Sequence, residues 1–258
     1  MENSGTEGHS RLGYTPRFAD AVTYGDVMIE LYSWATPNGH KVHIMLEETG
    51  LPYRVHGVNI RTGEQFKAEF LKISPNNRIP AMVDPDGPGG KPLSLMESGA
   101  ILLYLASKSG KFLPDDIGQR WACMQWLMWQ MGGVGPMFGQ ANHFRRYAKD
   151  KIEYAIERYT NEANRLTHVL DKQLAQSKFV ACDEYTIADM AIFPWMRGAE
   201  SRGIDMNEYP HVKRWFDAVN ARPAVQRALQ VLASESNSNP VDDKAREIMF
   251  GKTQFQKR

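Results

Sequence analysis

Residues 27–48 read VMIELYSWATPNGHKVHIMLEE, and this stretch decides the fold. Apolar side chains alternate along residues 27–32, which predicts a strand. Apolar residues then recur at helical spacing along 40–48, so a helix is predicted directly after the turn. Thr36 is placed to cap this helix. Pro37 suits its first position because the missing N–H would have no partner there.

The turn between this strand and this helix is suited to stabilising an anion. The first backbone N–H groups of a helix lack partners within the helix and lie at the positive end of its dipole. A thiolate is one anion that such a place stabilises, and the Thr36 hydroxyl adds a further polar group. The simpler interpretation is a helix cap with no further role. Motifs elsewhere in the chain are needed to distinguish this cap from an anion-binding site.

The composition argues against several classes of protein. The chain has 258 residues, a net charge of +1, 42% hydrophobic residues and 24% charged residues. These values suit one large or two modest globular domains and give no preference for nucleic acid or an anionic membrane. No stretch approaches the roughly 18 uninterrupted apolar residues of a membrane span, and the N-terminus lacks the apolar region of a secretory signal.

The cysteines and histidines predict no metal or disulfide centre. Cys123 and Cys182 form no CxxC pair, which argues against a disulfide scaffold, a zinc site or a dithiol redox centre. We expect both thiols to be core or near-surface groups of a cytoplasmic protein. The seven histidines show no HExxH spacing, and His40 and His43 are expected to form a surface pair on the first helix.

The chain divides into an arm, two domains and a tail. Residues 1–26 are polar and glycine-bearing and are predicted to be an irregular arm. Residues 27–112 alternate strands and helices, whereas 117–233 show no strand pattern and are predicted to be all-helical. Residues 234–258 form a polar tail that is expected to be peripheral. The predicted fold is therefore an α/β half followed by an all-α half.

Further elements complete both halves. In the first half a strand at 53–59 returns parallel to the first strand, a short helix covers 64–72, and Pro80 opens an antiparallel hairpin whose second strand is 92–96. The second half carries helices near 152–174, 210–220 and 223–233, and Thr186-x-x-Asp189 is a capping pattern before a further apolar run. A block rich in Trp and Met at 121–131 is expected to be core or dimer interface, with an acceptor pocket as the alternative.

Five motifs in a fixed order resemble those of the cytosolic glutathione transferases. They read TPNG at 36–39, SPNNRIP at 74–80, ESGAILLYL at 97–105, IEYAIERY at 152–159 and TIAD at 186–189. The first four together look like the nu class, which includes bacterial disulfide-bond reductases and is related to the yeast nitrogen-regulator prion protein, and TIAD resembles the capping box of the whole family. The resemblance implies a thioredoxin-like N-terminal domain, a helical C-terminal domain, glutathione as cosubstrate and a homodimer.

The resemblance also implies which residues bind the γ-glutamyl and cysteinyl parts of glutathione. Glu97 would accept from the γ-glutamyl amine and Ser98 would donate to its carboxylate, although a plain helix start is the alternative. Ile79–Pro80 would be a cis step that presents the Ile79 backbone to the cysteinyl part. The alternative is a trans bond in which proline merely opens a strand.

The resemblance implies three more binding residues, and each of them also has an interpretation without a binding role. Gln65 and Arg78 would contact the glycyl end, or they are solvated loop residues. Arg158 would reach a glutathione carboxylate, in its own subunit or in the partner's site. An ion pair with Glu162 on a solvated face is the other possibility.

Thr36 and Asn38 are the predicted catalytic residues, because the resemblance places the glutathione sulfur beside them. No cysteine lies near residues 33–40, so a mixed disulfide with the protein is not expected there. The implied reaction uses bound glutathione thiols against a small disulfide or peroxide, with one or two glutathiones in each site. The alternatives are conjugation or peroxidase chemistry, and a non-catalytic glutathione-binding regulator.

Overall fold

The computed structural model describes residues 27–235 and 241–256. The predicted arm, residues 1–26, lies outside this part of the chain. Four strands form one mixed sheet in the order β2-β1-β3-β4. The strands are β1 (Ile29–Ser33), β2 (Tyr53–Gly57), β3 (Ala81–Asp84) and β4 (Leu93–Met96).

The first half of the chain is the predicted α/β unit. β1 and β2 are parallel, and β3 is antiparallel to both β1 and β4, so the predicted βαβ unit and hairpin are confirmed. The helices of this half are α1 (Pro37–Thr49), α2 (Ala68–Ile73) and α3 (Ser98–Ser109). The helix predicted at 64–72 is two pieces, because the extended backbone of Lys67 separates a 3-10 turn, Glu64–Phe66, from α2.

The second half is helical, and no strand follows residue 117 within the described ranges. Its helices are α4 (Ile117–Trp129), α5 (Gly135–Asn142), α6 (Glu153–Leu174), α7 (Ile187–Met196), α8 (Pro210–Asn220), α9 (Pro223–Gln230) and α10 (Asp243–Phe250). Two π-helical turns, Gln130–Val134 and His143–Tyr147, stand before and after α5. No helix among the described residues is long and apolar enough to cross a membrane.

The TIAD motif forms the predicted capping box at the start of α7. Thr186 caps the helix, and the Asp189 carboxylate accepts from the Thr186 backbone N–H at 2.9 Å. The same carboxylate accepts from the Val180 backbone and from the Trp215 indole, at 2.9 and 2.8 Å. The motif therefore ties α7 to α8 and to the preceding loop inside the core.

Helix α1 joins the two halves of the molecule. It packs on α3 of its own half and on α7 and α9 of the helical half. Its last turn carries Glu47 and Glu48, which form ion pairs with Arg227 and Arg222 of the α9 region. A single apolar cluster runs through both halves.

The expected surface pair of histidines on α1 is wrong. His43 is fully buried and its Nε2 lies 2.9 Å from the Ser33 hydroxyl, while His40 is buried beside it. Burial, with the nearby Arg197 charge adding to it, lowers the pKa of His40 to about 4. Burial and the neighbouring His40 lower the pKa of His43 to about 3. The helical spacing was correct, but the sequence did not indicate that α9 covers this face.

The tail is not peripheral as expected. Its described part, α10 and a 3-10 turn at Lys252–Phe255, contacts both halves of the molecule. Arg246 donates to the Tyr147 carbonyl at 2.8 Å, and the Asn77 side chain donates to the Gln254 carbonyl at 3.1 Å. We call residues 241–256 the C-terminal strap.

Candidate functional site

The start of α1 is built as the sequence predicted. The Thr36 hydroxyl oxygen accepts from the Gly39 backbone N–H at 3.2 Å, and Pro37 occupies the first turn. Because this oxygen is the acceptor, the hydroxyl proton of Thr36 remains available to donate. A Cβ at Gly39 would lie 2.0 Å from the Trp34 carbonyl oxygen, so only glycine fits this close approach.

Asn38 is oriented by the helical half of the molecule. Its Oδ1 accepts from the indole N–H of Trp195 in α7 at 3.1 Å. An indole N–H can only donate, so this contact selects the amide oxygen and directs the Asn38 NH2 group elsewhere. Arg202 lies over the Trp195 ring, 5.5 Å from its centre. Sequence reasoning missed Trp195, because a contact across 157 positions leaves no local pattern.

The Ile79–Pro80 peptide bond is cis, as predicted. Strand β3 begins at the next residue, Ala81, and pairs with β1 on one side and β4 on the other. Continued by one residue, these antiparallel registers place Pro80 between Ser33 and Glu97. The end of β1 and the start of α3 therefore meet at this proline.

The Glu97–Ser98 pair stands where β4 gives way to α3. Glu97 has φ +69°, a left-handed backbone that a non-glycine residue seldom adopts and that costs on the order of 1–3 kcal/mol. Its carboxylate accepts from the Asn76 side chain at 3.2 Å, which links it to the loop before the cis proline. Ser98 is buried at the first turn of α3, where backbone N–H groups lack helical partners.

Lys41 is a site residue that sequence reasoning missed. Its side chain is 1% exposed, and its ammonium donates to Gln130 Oε1 at 2.6 Å, Ser98 Oγ at 3.3 Å and Met131 Sδ at 3.7 Å. Burial lowers the pKa of Lys41 to about 7, with the charge of Glu97 opposing the shift. One side chain thus joins α1, α3 and the turn after α4. In the sequence it looks like an ordinary helix lysine.

Gln65 is buried, whereas Arg78 is exposed and contacts the C-terminal strap. Gln65 is 2% exposed and donates to the Ile60 carbonyl at 3.1 Å, while its Oε1 is buried with no hydrogen-bond partner among the described residues. Arg78 donates to the Gln254 side chain of the C-terminal strap. Partial burial lowers the pKa of Arg78. The strap therefore packs against the loop that carries Asn77 and Arg78.

Arg158 stands apart from these groups. Its side chain is 57% exposed on α6, and its Nη1 lies 3.9 Å from Glu162 Oε2. Glu162 also pairs with Arg165. Within one subunit this is the helix ion pair that the sequence offered as an alternative, and a role in the partner's site is not tested by it.

Neither cysteine lies in this constellation. Cys123 is fully buried in α4, and Cys182 is half-buried in the loop before α7. Burial raises the pKa of both thiols, which lowers their thiolate fraction at neutral pH. Across residues 27–235 and 241–256, no group of His, Cys, Asp and Glu could hold a metal ion.

The Trp/Met block at 121–131 is only partly core. Trp126 and Trp129 pack edge to face, 4.9 Å between ring centres, against the main apolar cluster. Trp121 is 60% exposed and Met128 is 50% exposed on the outer face of α4. The core interpretation therefore holds for the inner face of α4 and fails for this outer face.

Family models match both halves of the chain. The glutathione S-transferase N-terminal domain matches residues 35–108, and the glutathione S-transferase C-terminal domain matches residues 126–223. The disulfide-bond oxidoreductase YfcG of Escherichia coli strain K12 is 52% identical over 203 residues, which are 78% of this chain and 94% of that protein. A protein named transcriptional regulator URE2, from Saccharomyces cerevisiae, is 35% identical over 235 residues, 76% of this chain and 66% of its own.

Two solved structures extend the similarity to bound glutathione. A glutathione transferase family member from Pseudomonas fluorescens, with two glutathione bound, is 50% identical with a TM-score of 0.75 over 79% of this chain and 92% of that one. A glutathione transferase from Pseudomonas putida, with one glutathione disulfide bound per subunit, is 46% identical with a TM-score of 0.77. That match covers 81% of this chain and 94% of the other.

Proposed function

The chain belongs to the glutathione S-transferase family, and from this premise we propose that it is a glutathione-dependent disulfide-bond reductase. Its redox thiols are those of bound glutathione and not of a protein cysteine. The observation that carries the proposal is the cysteine-free start of α1, where Thr36 caps the helix and Asn38 accepts from Trp195. Similar proteins that hold two glutathiones or one glutathione disulfide support it.

We assign glutathione to residues 27–112, the thioredoxin-like domain, with residues 117–233 as the helical domain that closes the site. The γ-glutamyl group binds Glu97 and Ser98 at the start of α3. The cysteinyl part pairs with the backbone of Ile79 beside Pro80, and its sulfur then lies at the start of α1. Gln65 and Arg78 hold the glycyl end.

Thr36 and Asn38 stabilise the glutathione thiolate in this proposal. The Thr36 hydroxyl has its proton available because its oxygen accepts from Gly39. The Asn38 amide offers its NH2 group because Trp195 holds its oxygen. Two donors and a helix N-terminus lower the pKa of a bound thiol, so more of it is thiolate at neutral pH.

The reaction then needs two glutathiones and one disulfide. The first thiolate attacks one sulfur of the substrate disulfide, the S–S bond breaks, and a substrate thiolate leaves and takes up a proton. The second thiolate attacks the glutathione sulfur of the mixed disulfide and releases the second substrate thiol. Two electrons pass from the two glutathiones to the substrate, and the products are glutathione disulfide and two thiols.

We also propose that the protein is a homodimer, with α4 at the interface. Three exposed apolar side chains, Ile117, Trp121 and Met128, lie on α4 at helical spacing. Large exposed apolar side chains gathered on one helix face are typical of an interface. Whether Arg158 binds glutathione in the partner's site then depends on how the two subunits pack. The cytoplasmic location stays a prediction from the sequence.

The test is turnover of a small model disulfide with reduced glutathione, beside an organic hydroperoxide and an aromatic electrophile. We expect disulfide reduction to dominate and to fall by about 100-fold in Thr36→Ala or Asn38→Ala. The control is Cys123→Ser with Cys182→Ser, which should leave turnover unchanged. Dominant hydroperoxide or conjugation activity would support the transferase alternative. Tight glutathione binding with weak activity throughout would support the regulator.

A further inference from the structure

Lys41 is a buried lysine with an unusual set of partners. Its ammonium contacts a hydroxyl, an amide oxygen and a thioether, all of them neutral, within the part of the chain that the structure describes. Lys108 provides a comparison, because its side chain is 11% exposed but its ammonium lies 2.8 Å from the Asp84 carboxylate. A cation taken out of water normally has such a counter-charge. Lys41 therefore lacks the partner that Lys108 has.

The hydrogen bond from Lys41 also orients Ser98. The Ser98 oxygen accepts from the ammonium, so its own proton must point away from Lys41. In the ligand-free protein the acceptor for that proton is the Met131 sulfur at 3.7 Å, which is a weak acceptor. Ser98 also stands at the first turn of α3, a helix of 12 residues whose N-terminus favours negative charge.

We propose that Lys41 is the buried counter-charge for the γ-glutamyl carboxylate, acting through the Ser98 hydroxyl as a positioning residue, and that glutathione binding fixes it as the ammonium. The uncharged fraction of Lys41 takes one proton from solvent when the ligand binds. This inference rests on the proposed glutathione site and not on the proposed disulfide chemistry.

Few other groups near Lys41 could take up a proton when the ligand binds. The charged neighbour just before α3 is Glu97, and the turn Gln130–Val134 carries no titratable side chain. On α1 itself, His40 and His43 are neutral at pH 7, because burial lowers their pKa to about 4 and about 3. Burial lowers the pKa of Lys41 to about 7. Binding of a carboxylate nearby would therefore raise this pKa, and Lys41 would take up a proton near neutral pH.

The experiment is calorimetric titration with S-methylglutathione in buffers of different ionisation enthalpy. The methyl group removes the thiol proton, and the γ-glutamyl amine of the ligand takes up the same share in wild type and Lys41→Met, so the difference in uptake between them belongs to Lys41. We expect uptake to approach one proton per site at about pH 8 and to fall towards zero at about pH 6, because Lys41 is already charged there. The dissociation constant should rise about tenfold over the same range, since only the charged form binds well.

Lys41→Met separates this role from a structural one. The Met side chain is similar in length and suits a buried site, but Gln130 Oε1 loses its donor, so we expect the free variant to fold with a modestly lower melting temperature. Proton uptake at about pH 8 should fall to the small share of the ligand amine, and affinity at about pH 6 should fall by about 10- to 100-fold with the lost charge-assisted contact. The matched control is Lys72→Met, an exposed lysine of α2, which should change neither quantity.

The outcomes are distinct. Unchanged proton uptake in Lys41→Met, or no uptake by the wild type, overturns the role of Lys41 while the glutathione site stands. Absence of S-methylglutathione binding by the wild type overturns the site itself. If Lys41→Met does not fold, the wild type decides, because a dissociation constant that stays flat between about pH 6 and about pH 8 contradicts the proposal.

Discussion

At the scale of single residues, the contact between Trp195 and Asn38 makes a prediction of its own. Trp195→Phe keeps an aromatic ring but removes the N–H that holds the Asn38 oxygen at 3.1 Å. The amide is then free to turn its oxygen towards the thiolate, which would repel it. We expect disulfide turnover to fall by about tenfold, as for the loss of one hydrogen bond.

The pKa of the bound glutathione thiol measures this effect directly, by the ultraviolet absorbance of the thiolate. We expect the thiol pKa to rise in Trp195→Phe while the melting temperature changes little. Trp121→Phe is the control, because Trp121 is exposed on α4 and is not assigned a role in orienting Asn38. An unchanged thiol pKa in Trp195→Phe would mean that Asn38 does not depend on the indole for its orientation.

The same residues set the limit of what the sequence could predict about the site. The Thr36 cap was predictable, because a cap is a contact within three residues. Lys41 and Trp195 were not, because their partners lie 57 and 157 positions away and nothing in their own neighbourhoods differs from an ordinary helix. The sequence thus predicts local chemistry and misses the groups that orient it.

At the scale of elements, the packing of α9 on α1 makes stability depend on pH. His40 and His43 carry an ordinary pKa of 6.5 when unfolded, and burial lowers these values to about 4 and about 3 in the fold. Below pH 6.5 the unfolded chain therefore binds more protons than the native protein. The contribution of these histidines is complete above that pH and is lost as the pH falls, by up to about 1.4 kcal/mol per pH unit for each.

Chemical denaturation between about pH 6 and about pH 5 measures this dependence before most carboxylates titrate. We expect His43→Gln to reduce the slope of the free energy of unfolding against pH by about 1 kcal/mol per unit, because one titrating group is gone. His168→Gln, at an exposed position of α6, should leave the slope unchanged. Equal slopes for wild type and His43→Gln would show that the buried histidines are not the cause.

Most of the elements were predictable from the sequence. The errors concern which of their faces are covered by other elements, and these errors have a common cause. The strands, the α1 cap, the hairpin and the TIAD box follow from spacing and end signals within a few residues. The error at His40 and His43 arose because α9, about 180 residues later, covers their side of the helix. The C-terminal strap was misjudged for the same reason, since its partners are the loops around Asn77 and Tyr147.

At the scale of the whole molecule, the outer face of α4 is where two copies are expected to meet. Ile117, Trp121 and Met128 expose large apolar surfaces on one helix, and a buried tryptophan often contributes most of the binding energy of an interface. Trp121→Glu would place a charge in that interface, so light scattering should show the mass halved at micromolar concentration. Phe255→Glu, at an even more exposed aromatic residue of the strap, should keep the mass of the wild type.

The same variant tests whether Arg158 serves the partner's site. Within one subunit Arg158 is exposed and faces Glu162, so it can reach a ligand only through the packing of two copies or by leaving that ion pair. If it acts across the interface, Trp121→Glu and Arg158→Ala should weaken glutathione binding to a similar degree, and the double variant should be no weaker than either. Additive losses would place Arg158 in its own subunit's site. A wild type that is already monomeric would exclude the interface.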